Sequence, residues 1–142
     1  MKIYPDICTL CRPFDDQTQP RIWLETHALC VILSLVESSE IEFVRSPIHD
    51  LETARNPWAF RRQWVEQCLD LSTQEVHLTA TIRQRALSLE AIGIKAIDAL
   101  HAAAAESANC TYLLTADDRF RKRYVGPLSV LNPVDFILLY FD

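Results

Sequence analysis

At 142 residues, with 49% hydrophobic and 23% charged side chains and only two glycines, the chain has the composition of one compact globular domain. That balance excludes a disordered, fibrous or low-complexity protein. A formal net charge of −5 argues against a nucleic-acid binder that works through a global basic field, but leaves room for an acidic centre with a local basic rim.

In chain order, Ile3 and Tyr4 read as the end of a short strand, halted at Pro5 and Asp6. Cys8 and Cys11 then form a lone C-x-x-C. Zinc needs four ligands, and no second such pair or H-x-x-x-H exists to complete a site. The residues that follow, "RPFDDQ", have turn chemistry rather than the helix start a thioredoxin-like pair requires. Five cysteines, an odd number, do not make a disulfide framework, and Cys30, Cys68 and Cys110 sit in apolar patterns as expected core residues.

Pro20 to Val36 places Ile22, Leu29, Ile32, Leu33 and Val36 near a 3.6 period, which predicts a helix. Its apolar part, Ala28 to Val36, is shorter than the ~20 residues a membrane span needs. With no apolar segment behind Lys2, the expected setting is the cytoplasm, with no membrane partner. Ile41 to Arg45 alternates as a strand. Ser46 followed by Pro47 is an N-cap and first-turn signal, and Asn56-Pro57 breaks the helix before it restarts over Trp58 to Leu71. An extended stretch at Val76 to Leu78 leads to a helix over Thr79 to Ala91 or Ile92, closed by Gly93. A helix from about Lys95, a strand at Tyr112 to Leu114, a charged helix over Asp117 to Arg123, a strand at Ser129 to Leu131 and a last helix begun by Asn132-Pro133 complete the chain.

Strands alternating with helices predict a mainly parallel sheet flanked by helices, whose site lies beyond the carboxyl ends of the strands. That rule selects Asp6 after the first strand, and Thr115, Asp117 and Asp118 after the Tyr112 to Leu114 strand. On the helix carrying Asp98, the residues Ile94, Ala102 and Ala105 lie within about 40° of the Asp98 direction at 100° per residue. Small alanines on that face allow close approach to the sheet. The candidate constellation is therefore Asp6, Glu52, Asp98 and Asp117, with Asp118 in reserve.

Two carboxylates ~5 Å apart repel by about 3 kcal/mol at an effective dielectric near 20, so four of them cost on the order of 15 kcal/mol. A small domain cannot spare that. Either most are protonated or a hard divalent cation, Mg²⁺ or Mn²⁺, sits among them. Taken singly, Asp98 reads as a first-turn acid, Asp6 as a turn residue and Glu52 as a solvated one. One of Asp117 and Asp118 is expected to be the N-cap of the charged helix and the other, Asp117 by preference, a ligand. His49 and His101 each lie three residues from an acid; a di-iron site is conceivable but belongs to four-helix bundles, so polar helix faces explain these histidines more simply, as they do His27 and His77. Trp23, Trp58 and Trp64 are expected in the core or an interface. The run Arg119 to Tyr124 could hold phosphates, and Arg12 more weakly so.

The segments "IYPDICTLCRPFDDQ", "SPIHDLE", "IKAIDALHAAAA" and "YLLTADDRF" together resemble PIN-domain ribonucleases, and within them the VapC-type toxins of bacterial type II toxin-antitoxin systems. The resemblance spans nearly the whole chain. It implies a PIN-like three-layer α/β sandwich and a Mg²⁺ or Mn²⁺ site built from Asp6, Glu52, Asp98 and Asp117. It also implies hydrolysis of RNA phosphodiester bonds by a metal-activated water, for which Thr115, Arg119, Arg121, Lys122 and Arg12 are the candidate substrate contacts. A cognate antitoxin and a homodimer are the implied partners. Pro5 and Ile7 depart from the family pattern around the first acid, which opens the alternative of a non-catalytic PIN module that binds RNA or a protein.

Overall fold

The computed structural model describes residues 1–142. In chain order the elements are β1 (Lys2–Pro5), α1 (Ile7–Leu10), a 3-10 turn (Arg12–Phe14), α2 (Pro20–Glu37), β2 (Glu42–Arg45), α3 (Pro47–Arg55), α4 (Ala59–Leu69) and β3 (Gln74–Glu75). They continue with α5 (Ala80–Ala91), α6 (Ala96–Ser107), β4 (Tyr112–Leu114), α7 (Asp118–Arg123), β5 (Ser129–Leu131) and α8 (Pro133–Tyr140). The five strands form one parallel sheet in the order β3-β2-β1-β4-β5.

Alternation along each strand sends its residues into two separate cores. Tyr4, Val44, Leu113 and Val130 pack against α5 and the alanine-rich face of α6, where Ala99 and Ala102 to Ala105 are all buried. Ile3, Phe43 and Leu114 point the other way, onto Leu29, Ile32 and Leu33 of α2, Val65 and Leu69 of α4, and Phe136 of α8. The molecule is thus the helix–sheet–helix sandwich expected from the sequence. No helix is long and apolar enough to cross a membrane.

The chain fills one half of the sheet with β1, β2 and β3, then returns past β1 to lay down β4 and β5 on its other side. Parallel sheets bind ligands where the order reverses, because there the connecting segments diverge to opposite faces and leave a crevice. Here that point lies beyond the carboxyl ends of β1 and β4. Asp6 follows β1 and Thr115 to Asp117 follow β4, joined by the Asp6 N–H donating to the Leu114 carbonyl at 3.0 Å.

Several local expectations change. Pro5 does not halt β1 but is its last residue, paired in register with Leu114. Its pairing with β2 ends at Ile3 opposite Phe43, so a nitrogen without hydrogen leaves no rung unfilled there. The third strand falls at Gln74–Glu75, ahead of the expected Val76 to Leu78, because register with Val44 and Arg45 fixes it. The C-x-x-C pair lies on and just after a short helix, α1, capped by Asp6. Cys30 faces solvent, whereas Cys68 and Cys110 are buried.

One buried charge was not foreseen. Glu25 on α2 is fully buried and receives Arg12 Nε at 3.0 Å, Arg21 Nε at 3.3 Å and the Asn132 amide. It ties α2 to the turn after α1 and to the start of α8, and a buried carboxylate is tolerated only with such a full set of donors.

Candidate metal centre

Four acids from four separate segments line one cavity of about 250 Å³, together with Ile7, Cys8, Lys95 and Ile97. These are Asp6, Glu52, Asp98 and Asp117. Each is held by its own local structure. Asp6 caps α1, accepting the Thr9 N–H at 3.0 Å and the Cys8 thiol at 3.2 Å, and is only 3% exposed. Asp117 caps α7, its Oδ1 accepting the N–H groups of Arg119 at 2.9 Å and Phe120 at 3.2 Å. Thr115, buried, takes the Asp117 N–H on its hydroxyl at 3.1 Å, so it braces the turn that presents this acid.

Asp98 stands in the first turn of α6, an end with no side-chain cap. Burial raises its pKa to about 7, and the negative charges of Asp6, Asp117 and Glu52 add to the effect. Glu52 rises to about 7 through burial, opposed by Arg55. Asp6 is also raised by burial, against the pull of its donors Thr115 and Thr9. Burial is the main cause for all three, and at Asp98 the neighbouring carboxylates add to it, so the cavity disfavours negative charge that no cation offsets.

The donor set is all carboxylate oxygen, which suits a hard cation such as Mg²⁺ or Mn²⁺. As the side chains stand, no three His, Cys, Asp or Glu groups converge closely enough to hold an ion. Their hydrogen bonds explain why: Asp6 is drawn toward Thr9, Asp117 toward the start of α7, and Glu52 toward His101. The residues fit a divalent ion in donor chemistry and in lining one cavity.

Behind Glu52 runs a buried chain of hydrogen bonds that the sequence did not disclose. The Ile48 N–H donates to Ser46 Oγ at 3.2 Å, Ser46 Oγ meets Tyr4 Oη at 2.6 Å, Tyr4 Oη meets His101 Nδ1 at 2.6 Å, and His101 Nε2 reaches Glu52 Oε1. Proton accounting fixes its direction. With the Ile48 N–H as the first donor, Ser46 gives its proton to Tyr4, Tyr4 to His101 Nδ1, and the Nε2–H of His101 to Glu52. The reverse order would leave the Ser46 hydroxyl hydrogen without an acceptor. Burial lowers His101 to a pKa of about 4, so the ring is neutral and its contact with Glu52 is a hydrogen bond, not an ion pair. His49 plays a parallel part: its Nδ1 accepts the Ser46 N–H at 3.0 Å, leaving Nε2–H to donate to the Pro5 carbonyl at 2.7 Å, directly before Asp6. Both histidines are fully buried, which corrects the expectation of polar helix faces; His27 and His77 are exposed.

The remaining expected residues separate. Arg119 borders the acidic cavity beside Lys95 and Arg123. Asp118, held in reserve as a ligand, is turned away and gripped by Arg21 at 2.7 and 2.8 Å and by Arg121 at 3.1 Å, which hold its carboxyl well below the usual range. The expected division between cap and ligand therefore fails, since Asp117 is the cap and also faces the cavity. Arg121 is committed to Asp118, and Arg12 to Asp15 and Glu25, so neither guanidinium reaches the centre. Lys122 is exposed and enters no ion pair. Trp23 and Trp58, expected in the core or an interface, are 48% and 62% exposed and so lie outside the core, while Trp64 packs partly buried and donates to the Leu10 carbonyl at 2.7 Å. Position alone signalled His101, three residues after Asp98 on one helix face; its partners come from segments far away in sequence.

The fold and the site together define a parallel α/β protein with an acidic centre at its topological switch point. The PIN domain family model matches residues 3–126, and the chain belongs to that family. No curated protein sequence matches it. Among solved structures it is similar to a chain of VapBC2 from Rickettsia felis, crystallised bound to a DNA fragment from the promoter of that pair, with 16% identity and a TM-score of 0.55 over 93% of this chain and 98% of that one. It is also similar to PAE2754 from Pyrobaculum aerophilum, with 15% identity and a TM-score of 0.54 over 99% of this chain and 88% of that one.

Proposed function

We propose that this PIN domain is a divalent-metal-dependent ribonuclease that hydrolyses RNA phosphodiester bonds. The observation that carries the reading is the meeting of Asp6, Glu52, Asp98 and Asp117 in one cavity, where three of the four are pushed toward neutrality. Asp6, Asp98 and Asp117 would hold Mg²⁺ or Mn²⁺, with Glu52 completing the set or orienting the water. Such an ion supplies an acidified water and stabilises negative charge on the phosphoryl oxygens. Thr115 braces the turn that carries Asp117, and the His101 N–H fixes one oxygen of Glu52 while leaving Oε2 without a protein partner. Glu52 can thereby accept a proton from the attacking water on that free oxygen. Lys95 and Arg119 flank the acids and can meet the phosphate.

We further read the protein as the toxin of a type II pair, with a cognate antitoxin as partner, RNA as substrate and a homodimer as assembly. The resemblance of four sequence segments to VapC-type toxins supports this, as does similarity in fold to a VapBC2 chain. The test is incubation of the purified protein with mixed-sequence RNA in EDTA, Mg²⁺ and Mn²⁺. Cleavage that needs the metal and disappears in Asp98→Asn supports a nuclease. RNA binding without cleavage in either metal replaces it with the non-catalytic module, for which the unusual Pro5 and Ile7 around Asp6 are the specific motive. Co-purification with the product of the adjacent gene tests the antitoxin.

A further inference from the structure

The acidic cavity does not end at Glu52. Through Ile7, Glu52 and Ile97 it opens into a second depression of about 410 Å³ that adds Arg55 and Arg61 and reaches Trp58. Through Trp58 and Arg61 that one continues into a third, of about 360 Å³, bounded by Phe14 and Phe60. The result is one track leading from the carboxylates to an aromatic surface. Trp58 is 62% exposed and Phe60 81% exposed, costs in hydration that folding does not require.

Charge along this track is distributed in a way that selects an occupant. Arg55 and Arg61 enter no ion pair, in contrast to Arg12, Arg21, Arg45, Arg85 and Arg121, each of which is committed to a carboxylate. The Arg61 guanidinium lies 5.6 Å from the Phe14 ring centre and 5.9 Å from that of Trp58, so cation and π faces are already assembled together. The track is also stiff. Asn56 Oδ1 accepts the Trp58 N–H at 3.0 Å, Arg62 Nη1 donates to the Asn56 carbonyl at 2.7 Å, and Pro57 fixes the bend between them. An exposed aromatic ring on a braced backbone, beside unpaired guanidinium groups, offers a stacking face and phosphate contacts at once, matching the bases and phosphates of a single-stranded nucleic acid. What favours a nucleic acid here is the pair of guanidinium groups without carboxylate partners, placed to meet a phosphate backbone beside the exposed ring. On the far side of the carboxylates, Lys95, Arg119 and Arg123 continue the cationic line.

We propose that Trp58, with Phe60 and Arg61, forms a stacking subsite for an unpaired base of an RNA strand whose backbone passes Arg55 on its way to the acidic cavity. The substrate is accordingly single-stranded at that position. A duplex keeps its base faces covered and cannot use the ring. This inference rests on the ribonuclease reading above and deepens it, and it replaces Arg12 and Arg121 as substrate contacts with Arg55 and Arg61.

The test uses the full-length Asp98→Asn protein, so that the probe stays intact, with a fluorescein-labelled decauridylate and a hairpin duplex followed by fluorescence anisotropy. Adding Trp58→Ala should weaken binding of the single strand by about 5- to 150-fold and leave the duplex unchanged, while Trp58→Phe retains most of the affinity. Adding Arg61→Gln should lower the slope of log affinity against log salt by about 0.7, the loss of one phosphate contact on a single strand. Since Trp58 is largely exposed, an unchanged thermal melt establishes that the variants fold. Equal affinity of the Trp58→Ala and Trp58 proteins for the single strand overturns the subsite, as does a change confined to oligomeric state in light scattering, which would assign the ring to a second copy of the chain. The two failures stay distinct: if the wild-type protein cleaves RNA and Trp58→Ala cleaves it with unchanged KM, the subsite alone is lost. If the wild type neither cleaves in Mg²⁺ or Mn²⁺ nor binds the strand, the nuclease reading falls and this one with it.

Discussion

Replacing Asp98 by Asn should make the metal-free protein more stable, and only above acid pH. The Asp98 carboxyl titrates from an ordinary 3.8 in the unfolded chain to about 7 in the fold, so between those values the folded state holds the proton more tightly. A raised acid pKa contributes nothing unfavourable below pH 3.8. Stability is then lost as pH rises through the window up to about 7, where the folded state must accept the charge. A tenfold change in proton affinity is about 1.4 kcal/mol, giving a ceiling of about 4 kcal/mol at pH 8. Asp98 is partly open to solvent, and screening reduces this to about 2 kcal/mol. For a domain of this size that corresponds to roughly 6 °C in Tm. Urea denaturation in EDTA of wild type and Asp98→Asn, at pH 8 and at pH 4, measures it. The curves should separate at pH 8 in favour of the variant and coincide at pH 4. Adding Mg²⁺ or Mn²⁺ at a hundredfold excess over its Kd should stabilise the wild type by about 2.7 kcal/mol and the variant far less. An Asp98→Asn protein no more stable than wild type at pH 8 without metal would refute the claim that burial, with the neighbouring carboxylates, penalises the Asp98 charge.

Three further outcomes follow from the geometry. Tyr4→Phe removes the hydroxyl between Ser46 and His101, leaving two buried polar groups unpartnered at a cost of about 1–3 kcal/mol, read by urea denaturation; the ¹⁵N spectrum of His101 should lose the single Nε2–H tautomer that the intact chain imposes. Asp117→Asn keeps the cap of α7 and should leave Tm nearly unchanged while abolishing metal-dependent cleavage, whereas Asp117→Ala should abolish cleavage and also lower stability by about 1 kcal/mol through the missing cap. Glu25→Gln, far from the acidic cavity, leaves Arg12 and Arg21 facing a neutral amide and should destabilise by about 3 kcal/mol in thermal or urea unfolding, with cleavage per folded molecule unaltered.

Local chemistry in the sequence determined most of the elements. As helix caps, Ser46 before Pro47, Thr79 before its helix and Gly93 after the same helix depend on neighbouring backbone, and the structure bears them out, with Gly93 at a φ of +98°. The strands at Tyr112–Leu114 and Ser129–Leu131 fall where their apolar runs put them, and the alternation of strands and helices was enough to predict a parallel sheet with helices on both faces.

What one-dimensional pattern could not carry was the identity of a partner distant along the chain. Asp117 and Asp118 are adjacent and chemically equal; Arg21, from α2, takes Asp118 out of contention, and nothing in the local sequence records that contact. His49 and His101 look like surface residues until Tyr4 and Ser46 close around them in the interior, where a ring nitrogen must find a partner because water is excluded. Trp58 reads in sequence as a core or interface residue because it is large and apolar; the bend at Asn56 and Pro57 turns it outward and decides against the core. A sequence specifies which groups want burial, a cap or a counter-charge; only packing in three dimensions decides which of several suitable partners is within the few ångströms over which those forces act.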